Sequence, residues 1–531
     1  MLPLPRSSSA LPHRPLRLLG GAVIGLGIAA LIVLLLLAIA STASEATPAP
    51  SRIDLPWLLL TSSIQAGLTT LLSLLAGIGL AWALDRLRFP GRGLLVGLFA
   101  AAIVTPGILV AFGLIAVWGR AGWIAEWTGL RIPLFGLGGI LFAHVILDGS
   151  FAARVLLARL ETLSETRLKT GQSLGLSAWQ RFMLIDWPAM RPSLPGLGAI
   201  IFLLAFTSFP VVLLLGGGPA NQTLEVAIYS AVRLDFDLRG AVTLALVQIA
   251  ICAVIIAFAS AAATIPAQLG RPPRRNWQDP PAARLLQVLL LVIAILGMGL
   301  PMLAILVDGL GSGLVSLAQQ PSFWRSLGQS LAIATVSASL TLLLGLLLAT
   351  ARAGLPPGPT RTLLGAPAFA YLAVPAVVLA LGFFLLARNT GLAPGAVAPG
   401  VVVAANTLLA LPYAVSTLAP PLEAIARTRG RLIRSLPLDG WRQFSRIEWP
   451  LLARDIGVVA ALAFCFSLGD LGVISLFGTQ DFATLPLLMS RSLGAYRNND
   501  AAGIAAVMLL ITLAAFTFLP RLFERLGHAR T

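Results

Sequence analysis

Charge is scarce in this sequence. Only 11% of the 531 residues are charged, 57% are hydrophobic, and the mean hydropathy is +0.91. A soluble globular domain carries about 25% charged residues, so this composition excludes one. Uncharged runs such as residues 18–40 recur along the chain, and about 20 apolar residues are enough to cross a bilayer. The composition therefore predicts an all-α polytopic membrane protein.

Residues that carry chemistry are also few. Lys169 is the single lysine and follows a leucine, whereas a P-loop needs Gly-Lys-Ser/Thr to hold nucleotide phosphates. Cys252 and Cys465 fall inside apolar runs, where cysteine acts as a small packing residue. With three histidines, no Ser-His-Asp, Cys-His or metal-ligand spacing stands out from chance. We therefore expect no catalytic residues, no metal site and no cofactor in this chain.

Twelve apolar runs are long enough to span a membrane. The first run could also be a signal peptide, because arginines precede it and small residues follow it. Its length exceeds the roughly 7–15 apolar residues of a signal peptide, which favours a retained helix. The predicted spans are 18–41, 57–84, 93–118, 134–158, 194–216, 240–263, 285–307, 326–351, 362–387, 396–421, 456–478 and 500–520.

Basic residues distinguish the two sides of the membrane. With twelve crossings, most of the 37 lysines and arginines fall on the same side as both termini. The positive-inside rule identifies that side as the cytoplasm, and a bacterial inner membrane is the expected location. This topology accounts for the formal net charge of +16 without a nucleic-acid partner.

The chain contains an internal repeat. SLGLSAWQRFMLIDWP (173–188) and SLPLDGWRQFSRIEWP (435–450) are identical at eight of sixteen positions, and residues 105–122 match 374–391. Two similar six-span halves are predicted, and because six is even they form a parallel repeat. The predicted divisions are a tail with the first helix and an outer loop (1–56), a first transmembrane domain (57–264), a linker with the seventh helix and an outer loop (265–325), a second transmembrane domain (326–520) and a cytoplasmic tail (521–531).

The repeated stretch lies between the fourth and fifth spans of each half, on the cytoplasmic side. Its apolar residues recur at every third position, which predicts a short amphipathic helix. Such a helix either rests on lipid headgroups or inserts into a groove of a partner protein, and two copies in the same register favour a partner. The residues predicted to dock are Gly175, Trp179, Phe182, Ile185, Trp187, Pro188, Pro437, Trp441, Phe444, Ile447, Trp449 and Pro450.

This loop resembles the EAA loop of ABC importer permeases, in which a glycine stands ten residues before Ile-x-x-Pro. Gly175, Ile185 and Pro188 fit the pattern, whereas Pro437 replaces the glycine in the second half and the Glu-Ala-Ala letters are absent from both. The fused design is similar to iron(III) and thiamine permeases, and FTSFPVVLLLGGGPANQTLEVAIY (206–229) most resembles the thiamine type. The resemblance implies two ATPase subunits, one on each loop, and a periplasmic binding protein that delivers thiamine or its phosphates.

Polar residues inside the spans are candidates for a substrate path, because ionisable groups in a membrane usually face a cavity or a partner helix. Carboxylates suit a cationic cargo such as a thiazolium ring, and aromatic rings add cation–π contacts. Hydrogen bonding between helices is the alternative role. The candidates are His144, Asp148, Phe206, Asn406, Tyr413 and Asp470, with Trp118 as a further aromatic residue.

Two other transport functions stay open. An iron(III) permease shares the fused design, and an ion-coupled secondary carrier can also have twelve spans in a parallel repeat. A carrier has no need for matched docking helices, and a polytopic enzyme would need a catalytic set. The sequence therefore favours the permease subunit of an ATP-driven importer, with ATP hydrolysed by a separate partner.

Overall fold

The computed structural model describes residues 15–44, 53–102, 105–260, 279–356, 358–370, 374–436, 438 and 440–528. This part of the chain is helical and contains no β-strand. No water is available inside a membrane, so a spanning segment must pair its own backbone groups, and a helix does so internally. The predicted all-α fold is confirmed.

The helices follow one another through two long halves. Those of the first half are α1 (Pro15–Ser44), α2 (Leu55–Arg86), α3 (Arg92–Ala102), α4 (Gly107–Trp118), α5 (Trp123–Thr128), α6 (Leu137–Glu161), α7 (Glu165–Ser173), α8 (Ala178–Arg181), α9 (Trp187–Met190), α10 (Leu194–Phe206), α11 (Pro210–Leu215), α12 (Leu224–Arg233) and α13 (Leu238–Ser260). Those of the second half are α14 (Pro281–Asp308), α15 (Leu314–Ala318), α16 (Pro321–Ala353), α17 (Pro359–Ala370), α18 (Ala376–Asn389), α19 (Pro394–Ser435), α20 (Gly440–Gln443), α21 (Trp449–Leu468), α22 (Gly472–Phe477), α23 (Leu485–Gly494) and α24 (Asn498–His528).

Eleven helical segments of the described residues are long and apolar enough to cross a membrane. Each overlaps one of the predicted spans. The remaining predicted span, 362–387, overlaps the shorter apolar helix Ala376–Asn389. The polytopic architecture predicted from the composition is therefore confirmed.

Two predicted spans are interrupted at the same place in both halves. α3 and α4 flank Pro106, and α17 and α18 flank Pro375. Proline has no N–H to donate and clashes with the preceding helical turn, so a helix restarts more easily behind it than it continues through it. The predicted spans 93–118 and 362–387 are therefore each two half-length helices rather than one continuous helix.

The repeated loops also differ from the expected separate amphipathic helix. In each half the loop helix runs directly into the next span through a π-helical turn, Phe182–Asp186 or Phe444–Glu448. The tryptophan that follows this turn donates its N–H to a carbonyl five residues back. This wider turn accommodates Pro188 and Pro450, which lack the N–H for the ordinary four-residue pattern.

The main helix pair of each half crosses at a glycine. A Cβ added to Gly77 of α2 would lie 2.4 Å from the Cβ of Ala152 of α6. In the second half, a Cβ added to Gly345 of α16 would lie 2.8 Å from the Cβ of Ala414 of α19. Small residues allow membrane helices to approach closely. Because the hydrophobic effect does not drive helices together inside lipid, van der Waals packing at such close contacts stabilises the pair. The repeat therefore preserves a backbone-to-backbone contact.

The first helix of each half packs against the opposite half. α1 lies along α16, α17 and α18, and a Cβ on Gly21 would lie 2.3 Å from the Cβ of Ala351. α14 lies against α2 and α4, where a Cβ on Gly113 would lie 2.8 Å from the carbonyl oxygen of Pro301. The two halves are thus interlocked through exchanged helices.

Gly77→Leu and Gly345→Leu are expected to destabilise the protein, because a larger side chain forces the crossing helices apart and overpacking costs about 1–3 kcal/mol. Gly67→Leu and Gly328→Leu are matched controls on α2 and α16, since nothing lies within 4 Å of a Cβ added there. The temperature of aggregation in detergent measures the difference. Equal temperatures for all four variants would contradict the role of these crossings.

Candidate functional site

The two repeated stretches lie on one face of the protein, which we call the loop face. We name residues 173–188 the first loop and residues 435–450 the second loop. The tryptophan near the start of each loop helix projects outward, since the side chain of Trp179 is 67% exposed and that of Trp441 is 72% exposed. Large exposed aromatic residues at matched positions indicate a contact surface.

Each loop carries the same row of three aromatic rings, in which each ring packs on the next. The centroid separations are 5.9 Å (Trp179–Phe182), 6.4 Å (Phe182–Trp187), 6.0 Å (Trp441–Phe444) and 6.0 Å (Phe444–Trp449). At the inner end of the row Ile185 is buried and Ile447 is partly buried. The apolar stripe predicted from the sequence is therefore most exposed at its tryptophan end, while its inner end packs into the protein.

The first loop is shaped by a turn and a helix cap. Gly175 has φ = +63°, a left-handed conformation that glycine adopts without strain, and it follows α7. The Ser177 hydroxyl accepts from the N–H of Gln180, while the Gln180 side chain accepts from the N–H of Ser177. This capping box defines the start of the helix and so the direction of Trp179. Pro437, predicted to make the matching turn, lies outside the described residues.

The acidic residue of the repeated Ile-acid-Trp-Pro motif is buried in both loops. Asp186 and Glu448 have no exposed surface. Asp186 pairs with Arg86 at the end of α2, and Glu448 accepts from Nη1 of Arg17 of α1 at 2.8 Å. An unpaired buried carboxylate is costly, so each ion pair anchors its loop to a membrane helix. Asp186 and Glu448 are not among the predicted docking residues, although the acid recurs in both copies.

A second matched ion pair lies on the loop face. Arg92 of α3 is 3.7 Å from Glu161 at the end of α6, and Arg361 of α17 pairs with Glu423 of α19. Burial lowers the pKa of the Arg361 guanidinium, and neighbouring positive charges lower it further. The half-length helices that begin at this face are therefore tied to the long helices beside them in the same way in both halves.

The helix breaks of the two halves lie together inside the protein. The close contacts are Gly469 with Pro106, Gly472 with Ala376 and Gly107 with Val211, where an added Cβ would lie 2.4, 3.1 and 3.2 Å from the neighbouring side chain. The first of these contacts joins the two halves, and the others join half-length helices within a half. Discontinuous helices at the interface of two repeats are where many transporters hold their substrate.

Three of the predicted path residues come close together. His144 Nδ1 is 3.4 Å from Asp148 Oδ2 on one face of α6, and both side chains are buried. Asp148 lies within electrostatic range of the Tyr413 hydroxyl on α19. A carboxylate of one half and an aromatic residue of the other half therefore lie within electrostatic range of each other.

The other predicted path residues have packing contacts. Asn406 donates to the Ser467 hydroxyl at 3.0 Å. The Asp470 carboxylate accepts two backbone N–H groups of α22, at 3.1 and 3.3 Å, and so caps that helix. Phe206 is fully buried, and Trp118 packs edge-on against another ring. These contacts resemble the alternative in which such residues hold helices together.

One buried acid was absent from the predicted set. Glu225, in the first turn of α12, has no exposed surface, and Gln248 of α13 donates to it at 3.2 Å. The backbone of Val377, at the start of α18 in the other half, lies beside its carboxylate. A single acid within the apolar stretch 224–232 is the signal that identifies it.

The face opposite the loop face has its own matched feature. Among the described residues, the non-glycine positions with positive φ are Phe236 (55°) and Tyr496 (59°), which follow α12 and α23 respectively. Their side chains are 81% and 90% exposed. A left-handed conformation is unfavourable for an aromatic residue, and such strain concentrates at functional positions. Each half therefore presents one strained, exposed ring on this face.

Known proteins are similar to the chain along most of its length. Thiamine transport system permease protein ThiP of Salmonella typhimurium is 35% identical over 481 residues, which cover 88% of this chain and 88% of that protein. ThiP of Escherichia coli is 37% identical, covering 86% of this chain and 87% of its own. Molybdenum transport system permease protein ModB of Azotobacter vinelandii is 30% identical over 31% of this chain and 74% of its own length. No family model matches the chain.

Proposed function

This chain belongs to the family of thiamine transport system permeases, and we propose that it forms the membrane path of an ATP-driven importer of thiamine and thiamine phosphates. The observation that carries this proposal is the extent of the similarity. It covers 88% of both this chain and the Salmonella protein, so the unmatched ends are too short to leave out either repeated loop. The whole two-half design is therefore shared with permeases named for thiamine.

ATP hydrolysis belongs to a separate subunit in this proposal, because the single lysine stands outside any Gly-Lys-Ser/Thr motif. The two loops offer two equivalent places for it. Each loop presents an exposed tryptophan, backed by two further rings and anchored by a buried ion pair. Rigidly held aromatic residues are typical anchors of protein interfaces. We assign one ATPase subunit to each loop.

The loop face is the cytoplasmic face in this proposal, and both termini lie on that side of a bacterial inner membrane. The excess of basic residues on that side supports this orientation. The ATPase must also meet the loops where ATP is available.

The opposite face receives the periplasmic binding protein that delivers the substrate. Phe236 and Tyr496 support this assignment, because residues with a strained backbone conformation concentrate at functional sites. Acidic residues flank Phe236, whereas Arg497 follows Tyr496. The two positions therefore differ in charge, and the binding protein is expected to dock in a single orientation.

The substrate passes where the helix breaks meet. Thiamine carries a positive thiazolium ring, and Asp148 with Tyr413 supplies a negative charge and an aromatic face. The half-length helices around this point are only a few turns long. They can therefore move apart from one another without the unfolding of a full membrane span. Asp470 takes part by capping α22 rather than by meeting the substrate.

The complete importer, reconstituted from permease, ATPase and binding protein, is expected to hydrolyse ATP several-fold faster when its cargo is added. Thiamine, thiamine monophosphate, thiamine pyrophosphate and iron(III) are compared in the same liposomes. Stimulation by iron(III) alone would replace the proposed cargo. Uptake that follows an ion gradient without ATP would indicate a secondary carrier instead.

Asp148→Asn is expected to slow thiamine uptake about tenfold, which corresponds to about 1.4 kcal/mol of lost charge stabilisation. The amide is nearly the same size, so the complex should still assemble. Asp470→Asn is the matched comparison, with a smaller effect on uptake and a larger one on thermal stability, since Asp470 caps a helix. Full uptake by the double variant would exclude both carboxylates from the path.

Trp441→Ala and Trp179→Ala are each expected to weaken binding of the ATPase by about 2 kcal/mol, as is usual when a buried interface anchor is truncated. Co-purification of the ATPase with tagged permease measures this, alongside uptake. Trp127→Ala is the control, because Trp127 is 70% exposed but lies on α5 at the opposite face. Normal co-purification by the double loop variant would mean that the loops only rest on lipid.

A further inference from the structure

The acidic residue of the repeated motif is buried in both loops, where its negative charge has to be compensated. Asp186 and Glu448 occupy equivalent positions, and neither has any surface exposed to solvent. A carboxylate in such a place needs a cation and further hydrogen bonds, because burial removes its hydration. Both loops therefore require an arginine from elsewhere in the protein.

The first loop obtains its arginine from its own half. Arg86 is the last residue of α2, and it pairs with Asp186 and lies 3.5 Å from Asp85. By the match of Gly77 with Gly345, the residue equivalent to Arg86 is Gly354, just past the end of α16, and the nearest arginine is Arg352. That side chain points to α17 instead, since its Nη1 lies 2.6 Å from where a Cβ on Gly365 would be. Arg352 therefore does not pair with Glu448 in the way that Arg86 pairs with Asp186.

The second loop obtains its arginine from the start of the chain. Arg17 Nη1 donates to Glu448 Oε1 at 2.8 Å, and its Nη2 donates to the carbonyl oxygen of Gly440 at 2.7 Å. Gln443 donates to the same Glu448 oxygen at 2.6 Å. Gly440 begins α20 and directly precedes Trp441. One guanidinium therefore joins the buried acid to the residue from which the exposed tryptophan projects.

The packing of α1 places Arg17 at this position. One turn along α1, Gly21 lies so close to Ala351 that an added Cβ would be 2.3 Å from the alanine methyl. The helix therefore cannot slide along α16 without a steric clash. Its N-terminal end, including Arg17, is held beside the second loop.

We propose that Arg17 is a positioning residue for the second loop. Helix α1, which belongs to the first half, thereby forms part of the docking site of the second half. This inference rests on the proposed function, in which that loop binds an ATPase subunit. The fork of a guanidinium donates to the carboxylate and to the carbonyl from two separate nitrogens in a fixed plane, whereas an amide or an ammonium offers only one nitrogen. Arg86 has the corresponding role for the first loop through Asp186.

The test uses the complete importer and one introduced cysteine in each loop. Met183→Cys and Ser445→Cys stand at equivalent positions directly after Phe182 and Phe444. The native Cys252 and Cys465 are buried, so a bifunctional thiol reagent attaches to the introduced residue. The measurement is the yield of cross-link from each loop to the ATPase.

Arg17→Gln is expected to reduce the cross-link from Ser445→Cys to roughly a tenth, because it removes one partner of a buried charge pair, and to leave the cross-link from Met183→Cys unchanged. Arg86→Gln should do the reverse. Arg521→Gln, which alters an exposed arginine of the same face, should change neither. An equal fall at both loops would indicate general destabilisation and overturn the proposal.

Arg17→Gln/Glu448→Gln keeps the test decisive where the single variant does not assemble. It removes both charges, so no carboxylate is left unpaired, but the contact with Gly440 is still lost. The cross-link from Ser445→Cys should stay low. Its full return would show that Arg17 only neutralises Glu448 and would overturn the positioning role. Absence of any cross-link from either loop of the otherwise unaltered permease would refute ATPase docking itself, and this inference with it.

Discussion

A polar group that leaves water for a membrane has to find its partner within the protein, and the rest of this structure depends on that constraint. It explains why the described membrane spans are helices, since helices satisfy their own backbone. It also explains where the few charges lie. The buried acids of both loops are held by arginines of membrane helices, and Asp470 satisfies the free N–H groups at the start of α22.

The two halves repeat a design without repeating every contact. The glycine crossings of α2 with α6 and of α16 with α19 are equivalent, and so are the ion pairs of Glu161 and Glu423. The buried acid of the loops is equivalent as well, but its arginine is not. Exchange of the first helices between halves makes this difference possible, because it brings α1 beside the second loop. A repeat in sequence therefore becomes a pair of loops that are anchored differently.

The breaks near Pro106 and Pro375 connect the loop face with the interior. Each half-length helix that starts at the loop face is tied there by an ion pair, and its continuation begins where the halves meet. In each half, two short helices rather than one full span therefore connect the loop face with the interior. This arrangement suits a permease, in which energy is supplied at one face and the substrate is held near the middle.

Local pattern in the sequence determined much of this protein. Apolar runs of sufficient length, the repeat at residues 173–188 and 435–450, and the tryptophans of the loops are properties of neighbouring residues. The structure forms helices over the apolar runs as expected, and it exposes Trp179 and Trp441. The prolines at the helix breaks were visible but ambiguous, because membrane helices tolerate proline when neighbouring groups satisfy the backbone. Only the tertiary structure decided that the chain breaks there. It also decided that Arg17 meets Glu448, 431 positions later, and that Asp148 comes within electrostatic range of Tyr413 in the other half. Such contacts depend on how whole helices pack, and no periodicity along the chain encodes which distant residue completes a buried charge.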